Sequence, residues 1–451
     1  MPKRATSSVL ACCAWLLSGG AAFAQDVGRL TAADLVYRGA FAFPAGDDWA
    51  YSGHALAYRA DGDAGGPGDG FPGSLYAAAH DQLDLVGEMA IPEPVAAGDF
   101  ESLPQAPLLR AQLDVTGGLL AAACAACPTC ECATWDVDGL EVLPGQGKIV
   151  WNLRDWYNVG GEDLESMGWS ELDLTGARGV WHIGPRPNDE PPQEFHSAKT
   201  SNYLFTAPEV FAAQHLAGRR LIAGNHRTSG SPGGAQGPSL YALAPWQDGD
   251  PPAGGQDLDA LALVYYPWNL ACTENDFGAC LYPGYRVDDD WGGGAWIEAG
   301  GRTAVVIAGR KGLGDNCYGI AGVDCPPSLC APGEHGWHSD PYEPQVVFYD
   351  PAEIAEVAAG GRQPWQVVPY EIYRPVAEVF DADCGQLRGV AYDADRRLLY
   401  VTERAAGPFG ETAVHVWEVR EALFADGFES GDTSAWSQTV PALRPTPLPG
   451  T

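Results

Sequence analysis

Apolar and polar positions alternate with a period of two through most of the chain, in short runs broken by Gly, Pro, Asn and Asp. The clearest unit is Arg388-Gly389-Val390-Ala391-Tyr392-Asp393, a polar turn, and Leu398-Leu399-Tyr400-Val401-Thr402-Glu403. An apolar strand, a turn and an alternating strand predict one β-hairpin. The same grammar recurs three times. His54 to Tyr58 is answered by Leu75 to Ala79, Glu165 to Trp169 by Gly179 to Ile183, and Gly292 to Trp296 by Ala304 to Ala308. The aromatic that marks each unit falls at Tyr58, Trp169, Trp296 and Tyr392, at intervals of 111, 127 and 96 residues. Each interval fits two propeller blades of about 40–50 residues with insertions. Weaker units, Gly117 to Trp151 and Arg220 to Tyr266, stand where the missing blades belong. The pattern therefore predicts an all-β fold, a six-bladed β-propeller. The lone strand Leu35 to Phe43 would complete the last blade and close the ring, which leaves few free sheet edges. Pro208 to Leu216 and Pro351 to Ala359 read as short helices with proline at the start, and Gln366 to Tyr370 as an outer strand.

Composition agrees: 57 Gly and 36 Pro against three Met suit a turn-dense, strand-based fold. The two ends differ from the middle. Residues 1–24 carry Lys3 and Arg4, an apolar core from Val9 to Leu17, and Ala22-Phe23-Ala24 before Gln25. That is the form of a secretory leader. Residues 25–425 form the propeller, and 426–451 read as an appended, unstructured tail. No later run approaches the roughly 18 apolar residues of a membrane helix. The expectation is a soluble monomer exported to the periplasm or exterior of a Gram-negative bacterium. Net charge is −33, or −35 without Lys3 and Arg4. Such a surface repels phosphate backbones and anionic lipid, which excludes nucleic-acid and membrane partners. Ten cysteines remain after the leader: Cys124, Cys127, Cys130, Cys132, Cys272, Cys280, Cys317, Cys325, Cys330 and Cys384. In an exported chain they predict up to five disulfides in loop insertions, with Cys272–Cys280 the most plausible local bridge.

Candidate chemistry comes from aligning the four clear units on their marker aromatic. One column then holds His54, Glu165, Gly292 and Arg388. Innermost propeller strands line the axis, so equivalent positions at their starts converge on one mouth. A histidine, a carboxylate and an arginine there would give acid/base capacity and an anion clamp. Asp81, Arg310 with Lys311, and Glu403 sit at strand ends and read as exposed turn residues, while His226 lies in a Gly/Ser loop. Asp288-Asp289-Asp290 raises calcium as a cofactor, although it lacks the spacing of a calcium loop. His335-Gly336-Trp337-His338 in a Cys-rich insertion favours structure over zinc. There is no Gly-x-Ser-x-Gly elbow, Walker loop, dinucleotide fingerprint or His-Glu-x-x-His helix.

The Gly389-Val390-Ala391-Tyr392-Asp393 and Leu399-Tyr400-Val401 pattern resembles the blade repeat of six-bladed NHL-type, gluconolactonase-like and phytase-esterase-like propellers. The resemblance implies that fold. It further implies that a blade-start Glu, here Glu165, could hold a channel metal, whereas His54 and Arg388 depart from a carboxylate–Asn cage. The tail Gly427-Phe428-Glu429-Ser430-Gly431-Asp432 with Trp436-Ser437 resembles an ending of exported bacterial proteins. The functional expectation is a secreted propeller that binds a small molecule, glycan or protein. The alternative is a lactonase- or esterase-type hydrolase working through His54, Glu165 and Arg388.

Overall fold

The computed structural model describes residues 28–63, 71–127, 135–143, 145–155, 162–186, 194–225, 235–245, 253–267 and 281–421. The leader, the tail, Cys130, Cys132, Cys272, Cys280 and His226 lie outside them. Strand β1 (Leu35–Ala42) comes first. Blade 1 is the antiparallel sheet β2 (Leu56–Arg59), β3 (Ser74–Ala78), β4 (Val86–Ala90), β5 (Leu108–Leu113). Helix α1 (Leu119–Ala125) leads to blade 2, built from β6 (Trp135–Leu143), β7 (Lys148–Asp155), β8 (Met167–Glu171) and β9 (Arg178–Ile183). Blade 3 contains β10 (Leu204–Thr206), helix α2 (Glu209–His215), β11 (Leu221–Ala223), β12 (Leu240–Leu243) and β14 (Ala260–Val264). The short β13 (Asp257–Leu258) crosses back to pair in parallel with β9.

Blade 4 holds the long hairpin β15 (Asp290–Ala299) and β16 (Arg302–Gly312), then β19 (Tyr342–Tyr349), helix α3 (Pro351–Ala358) and β20 (Glu371–Tyr373). A hairpin of β17 (Cys317–Ile320) and β18 (His335–His338) is inserted between β16 and β19. Blade 5 is β21 (Gln386–Asp393), β22 (Leu398–Arg404) and β23 (Ala413–Val419). Its outer place is taken by β1, paired antiparallel from Leu35 opposite Val419 to Ala42 opposite Ala413. The expected closure by the N-terminal strand is therefore present. Both predicted helices form, and Asp350 caps α3 by accepting from the Ala352 N–H ahead of Pro351. The outer strand expected at Gln366 to Tyr370 begins instead at Glu371.

Among the described residues the blades number five, not six. Glu165 to Trp169 and Gly179 to Ile183 are the outer pair β8–β9 of blade 2, not the inner hairpin of a further blade. The innermost strand of that blade is β6, inside what reads from sequence as a weak unit. Leu119 and Leu120, expected in a strand, belong to α1. Alternation reports one buried face. It does not distinguish an inner hairpin from an outer one. Five apolar clusters, one per blade interface, show the ring independently. Trp151 and Tyr76 meet between blades 1 and 2, Trp181 and Tyr241 between 2 and 3, Phe205 and Val347 between 3 and 4, Phe348 and Trp417 between 4 and 5, and Tyr400 and Leu75 between 5 and 1.

Closing a ring with five sheets needs close approach at the axis, and the sequence supplies glycine there. A Cβ on Gly139 would lie 2.1 Å from the Asn202 carbonyl oxygen of the next blade, and one on Gly292 would lie 2.3 Å from Arg388 Cα. Three innermost strands bulge at this height, at Asp138 of β6, Gly292 of β15 and Arg388–Gly389 of β21. Bulges re-aim side chains next to sites, and here they sit around the waist of the ring.

Two disulfides join described residues: Cys317–Cys325 within the insertion and Cys330–Cys384, which ties the insertion to the loop before β21. Cys124 and Cys127 are also disulfide-bonded. Among the described residues no helix is long and apolar enough to cross a membrane.

Candidate binding site at the axial mouth

All five innermost strands start at one face of the ring, and polar residues gather where they do. His54 precedes β2, Asp138 lies in β6, Asn202 precedes β10, Asp290 opens β15 and Arg388 lies in β21. Each arginine here faces a carboxylate, and Asp290 serves two of them. Arg388 Nη2 is 2.9 Å from Asp290 Oδ2 and donates to Gln386 Oε1 at 3.2 Å. Arg154 Nη1 donates to Asp138 Oδ2 at 3.0 Å, and Asn202 Nδ2 donates to the same oxygen. Arg310 stands 3.8 Å from Asp290 with its guanidinium 4.1 Å above the Tyr342 ring. Arg404 pairs with Asp81 and lies over Tyr51.

Burial controls the electrostatics. It pushes His54 down to about 4, against the pull of nearby Asp138 and with the help of Arg404 and Arg388, so this imidazole is neutral at pH 7. It also lowers Arg388 to about 10, which Asp290 opposes. Asp136, two residues before Asp138 on β6, is raised well above the ordinary carboxyl range by burial and then by Asp138. Lys199, buried ahead of β10, is pushed down to about 7 by desolvation. Several buried polar atoms at this face have no hydrogen-bond partner: His54 Nδ1, Trp135 Nε1, Ser166 Oγ, Thr200 Oγ1, Asn225 Nδ2 and Arg388 Nε. Below them the waist is closed, with a void of only about 10 Å³ among His54, Asp138, Gly139, Gly292 and Gly389. That holds one water at most. The axis is therefore closed at this height.

Of the three residues expected to converge, His54 and Arg388 come to the axial mouth and interact electrostatically. Glu165 does not share their column. It precedes β8, the third strand of its blade, and its Oε1 accepts from Arg186 Nη1 at 2.6 Å. The blade 2 residue at the true inner position is Asp138, directly before Gly139 as Arg388 is directly before Gly389. That shared charged-residue-plus-glycine pattern is the signal that could have identified it. Asp136 and Lys199 carry no such signal, because their perturbation comes from tertiary burial.

The remaining candidates resolve as follows. Glu403 is no exposed turn residue: it is fully buried, bonded to His415 Nε2 at 2.8 Å, and accepts from the Phe380 and Asp381 N–H groups. Arg310 and Lys311 are largely buried too, paired with Asp290 and Asp289. Within the triple aspartate, Asp289 also accepts from Arg286 and Gly312 N–H, and Asp288 accepts from the Tyr342 hydroxyl. Among the described residues there is no group of three or more His, Cys, Asp or Glu placed to hold a metal ion. His338 bonds through Nε2 to the Gly319 carbonyl, and the rings of His335 and Trp337 pack on Tyr318.

Fold and site together define a five-bladed β-propeller with a cluster of buried polar and charged residues at one end of its axis. A scan against protein-family models finds no match, and a search of curated proteins finds none. The likeness to six-bladed families thus reduces to a shared propeller architecture.

Proposed function

We propose that this is an exported binding protein whose axial mouth takes a small neutral, hydroxyl-rich ligand of the sugar class. The observation that carries the reading is the gathering of polar side chains from all five blades at the mouth, with unpartnered polar atoms among them. A buried donor or acceptor left unmade costs about 1–3 kcal/mol, so such atoms expect water or a ligand. The preference for a neutral ligand follows from the charges already being engaged: Arg388 and Arg310 share Asp290, Arg154 and Arg404 face Asp138 and Asp81, and His54 is uncharged. A charged ligand would have to break an ion pair, whereas hydroxyls can donate and accept around intact pairs. The disulfides and the leader-like residues 1–24 support export.

The test is calorimetric titration with neutral mono- and oligosaccharides beside uronic acids and amino sugars. The expected result is binding of a neutral sugar that weakens at least about tenfold in Asp138→Asn and Arg388→Gln, the loss of about 1.4 kcal/mol that one charge-assisted hydrogen bond supplies. Preference for the charged sugars, or unchanged affinity in both variants, would overturn it.

A hydrolase remains the second reading, favoured by one observation: burial raises the Asp136 carboxyl well above its ordinary range two residues from the Arg154-paired Asp138. Carboxyl groups whose environments push them apart can divide acid and base roles. Turnover of chromogenic glycosides, esters or lactones that disappears in Asp136→Asn would favour catalysis. Absence of turnover leaves binding.

A further inference from the structure

The face opposite the mouth holds a second, larger feature that no sequence motif announces. A bowl of about 670 Å³ opens at the far ends of the innermost strands, and all five blades contribute to its wall. That volume lies within the range of small-molecule sites. Its floor is apolar, made by Phe205, Ala295, Val390 and Ala391. Three marker aromatics that serve the blades as scaffold, Tyr58, Trp296 and Tyr392, also border it.

One carboxyl group, Glu141 of β6, stands in this wall and accepts hydrogen bonds from the Thr206 side chain and backbone. The charged groups around the bowl are otherwise Arg59, Asp61, Arg220, Glu298, Asp393 and Asp395. Both cations already face carboxyl groups, and Arg220 also acts on Glu141. Arg59 Nε is 2.9 Å from Asp61 Oδ1, with Glu88 also in reach, and Arg220 Nη1 is 3.5 Å from Glu209. Asp393 is taken by Arg396 at 3.1 Å. Among the described residues Glu298 and Asp395 have no cationic partner, so the bowl carries an excess of negative charge over an aromatic and apolar lining.

We propose that this bowl is a second ligand site, and that its ligand is a small organic cation, an alkylammonium group on an apolar body, with Glu141 as its counter-ion. Aromatic rings and a carboxylate are the two features that recognise such cations. Burial pushes the Glu141 carboxyl up to about 8, with Thr206 and Arg220 opposing the shift, so the cation must displace a proton. At pH 7 the empty site holds a protonated carboxyl. Entry of the cation drives the O–H proton to the buffer and leaves the carboxylate paired, so one proton is released for each ligand bound.

The test uses butyltrimethylammonium, which has no titratable group of its own, and n-hexanol as a neutral comparison, in ligand-observed NMR titrations from pH 6 to 9. Affinity for the ammonium is expected to rise by up to about tenfold per pH unit below 8 and then level off, the behaviour of a single linked proton. Hexanol should bind more weakly and without that slope. In Glu141→Gln the slope should vanish and ammonium affinity at pH 9 should fall at least about tenfold, the scale of one lost ion pair in a partly desolvated site. Equal binding of both probes, a flat wild-type profile, or an unchanged profile in Glu141→Gln would overturn the proposal. The wild-type profile decides even if the variant fails to fold.

Discussion

Cys330–Cys384 joins residues 54 apart in sequence, whereas Cys317–Cys325 joins residues only 8 apart. Removing a bridge restores loop-closure entropy to the unfolded chain, and that entropy grows with the logarithm of loop length. With the chain-entropy relation, the long bridge contributes about 4 kcal/mol and the short one about 2.5 kcal/mol. The long bridge also bears on the site proposed at the mouth. Its Cys384 carbonyl accepts from Arg310 Nη1 at 3.4 Å, its N–H donates to Asp381 Oδ1 at 3.0 Å, and two residues later Gln386 begins β21 and accepts from Arg388. Cys330 N–H donates to Asp340 Oδ1 at 3.1 Å on the other side. Two double variants, Cys330→Ser with Cys384→Ser and Cys317→Ser with Cys325→Ser, should therefore differ by about 1.5 kcal/mol in denaturant unfolding, the first being the less stable. Only the first should also weaken ligand binding at the mouth. An equal or larger loss from the short bridge would refute the reasoning, because it would place the stabilisation in local packing rather than in chain closure.

Gly292→Ala should destabilise by about 1–3 kcal/mol or more, since its Cβ would lie 2.3 Å from Arg388 Cα and blades 4 and 5 would have to part. Gly98→Ala, with nothing within 4 Å, should stay within about 0.5 kcal/mol on the same unfolding curves. Glu141 predicts a pH dependence. Its folded value of about 8 exceeds its ordinary 4.5, so its contribution is fully present below 4.5 and is lost as pH rises through 8. Wild type should accordingly lose about 2–5 kcal/mol relative to Glu141→Gln between pH 4.5 and 9, measured by urea unfolding. Glu165→Gln should cost no more than about 1 kcal/mol and leave mouth binding unchanged, because its pair with Arg186 is about a third exposed.

The residue pattern alone determined the class of fold. Alternating strands, turn residues and repeated hairpins specify a propeller because each strand must bury one face, and a lone N-terminal strand beside an otherwise open last blade specifies closure. His54 and Arg388 were legible because each stands four residues before the aromatic that marks an innermost strand. Tertiary structure alone decided the number of blades, because β6 and β8 carry the same alternation and only packing order separates inner from outer. It also decided the site. Asp138 replaces Glu165 at the axis because the bulge in β6 aims it there, and Asp136, Lys199 and Glu141 acquire their shifted protonation from desolvation. Desolvation depends on which distant strands surround a side chain, and a linear pattern does not contain that information.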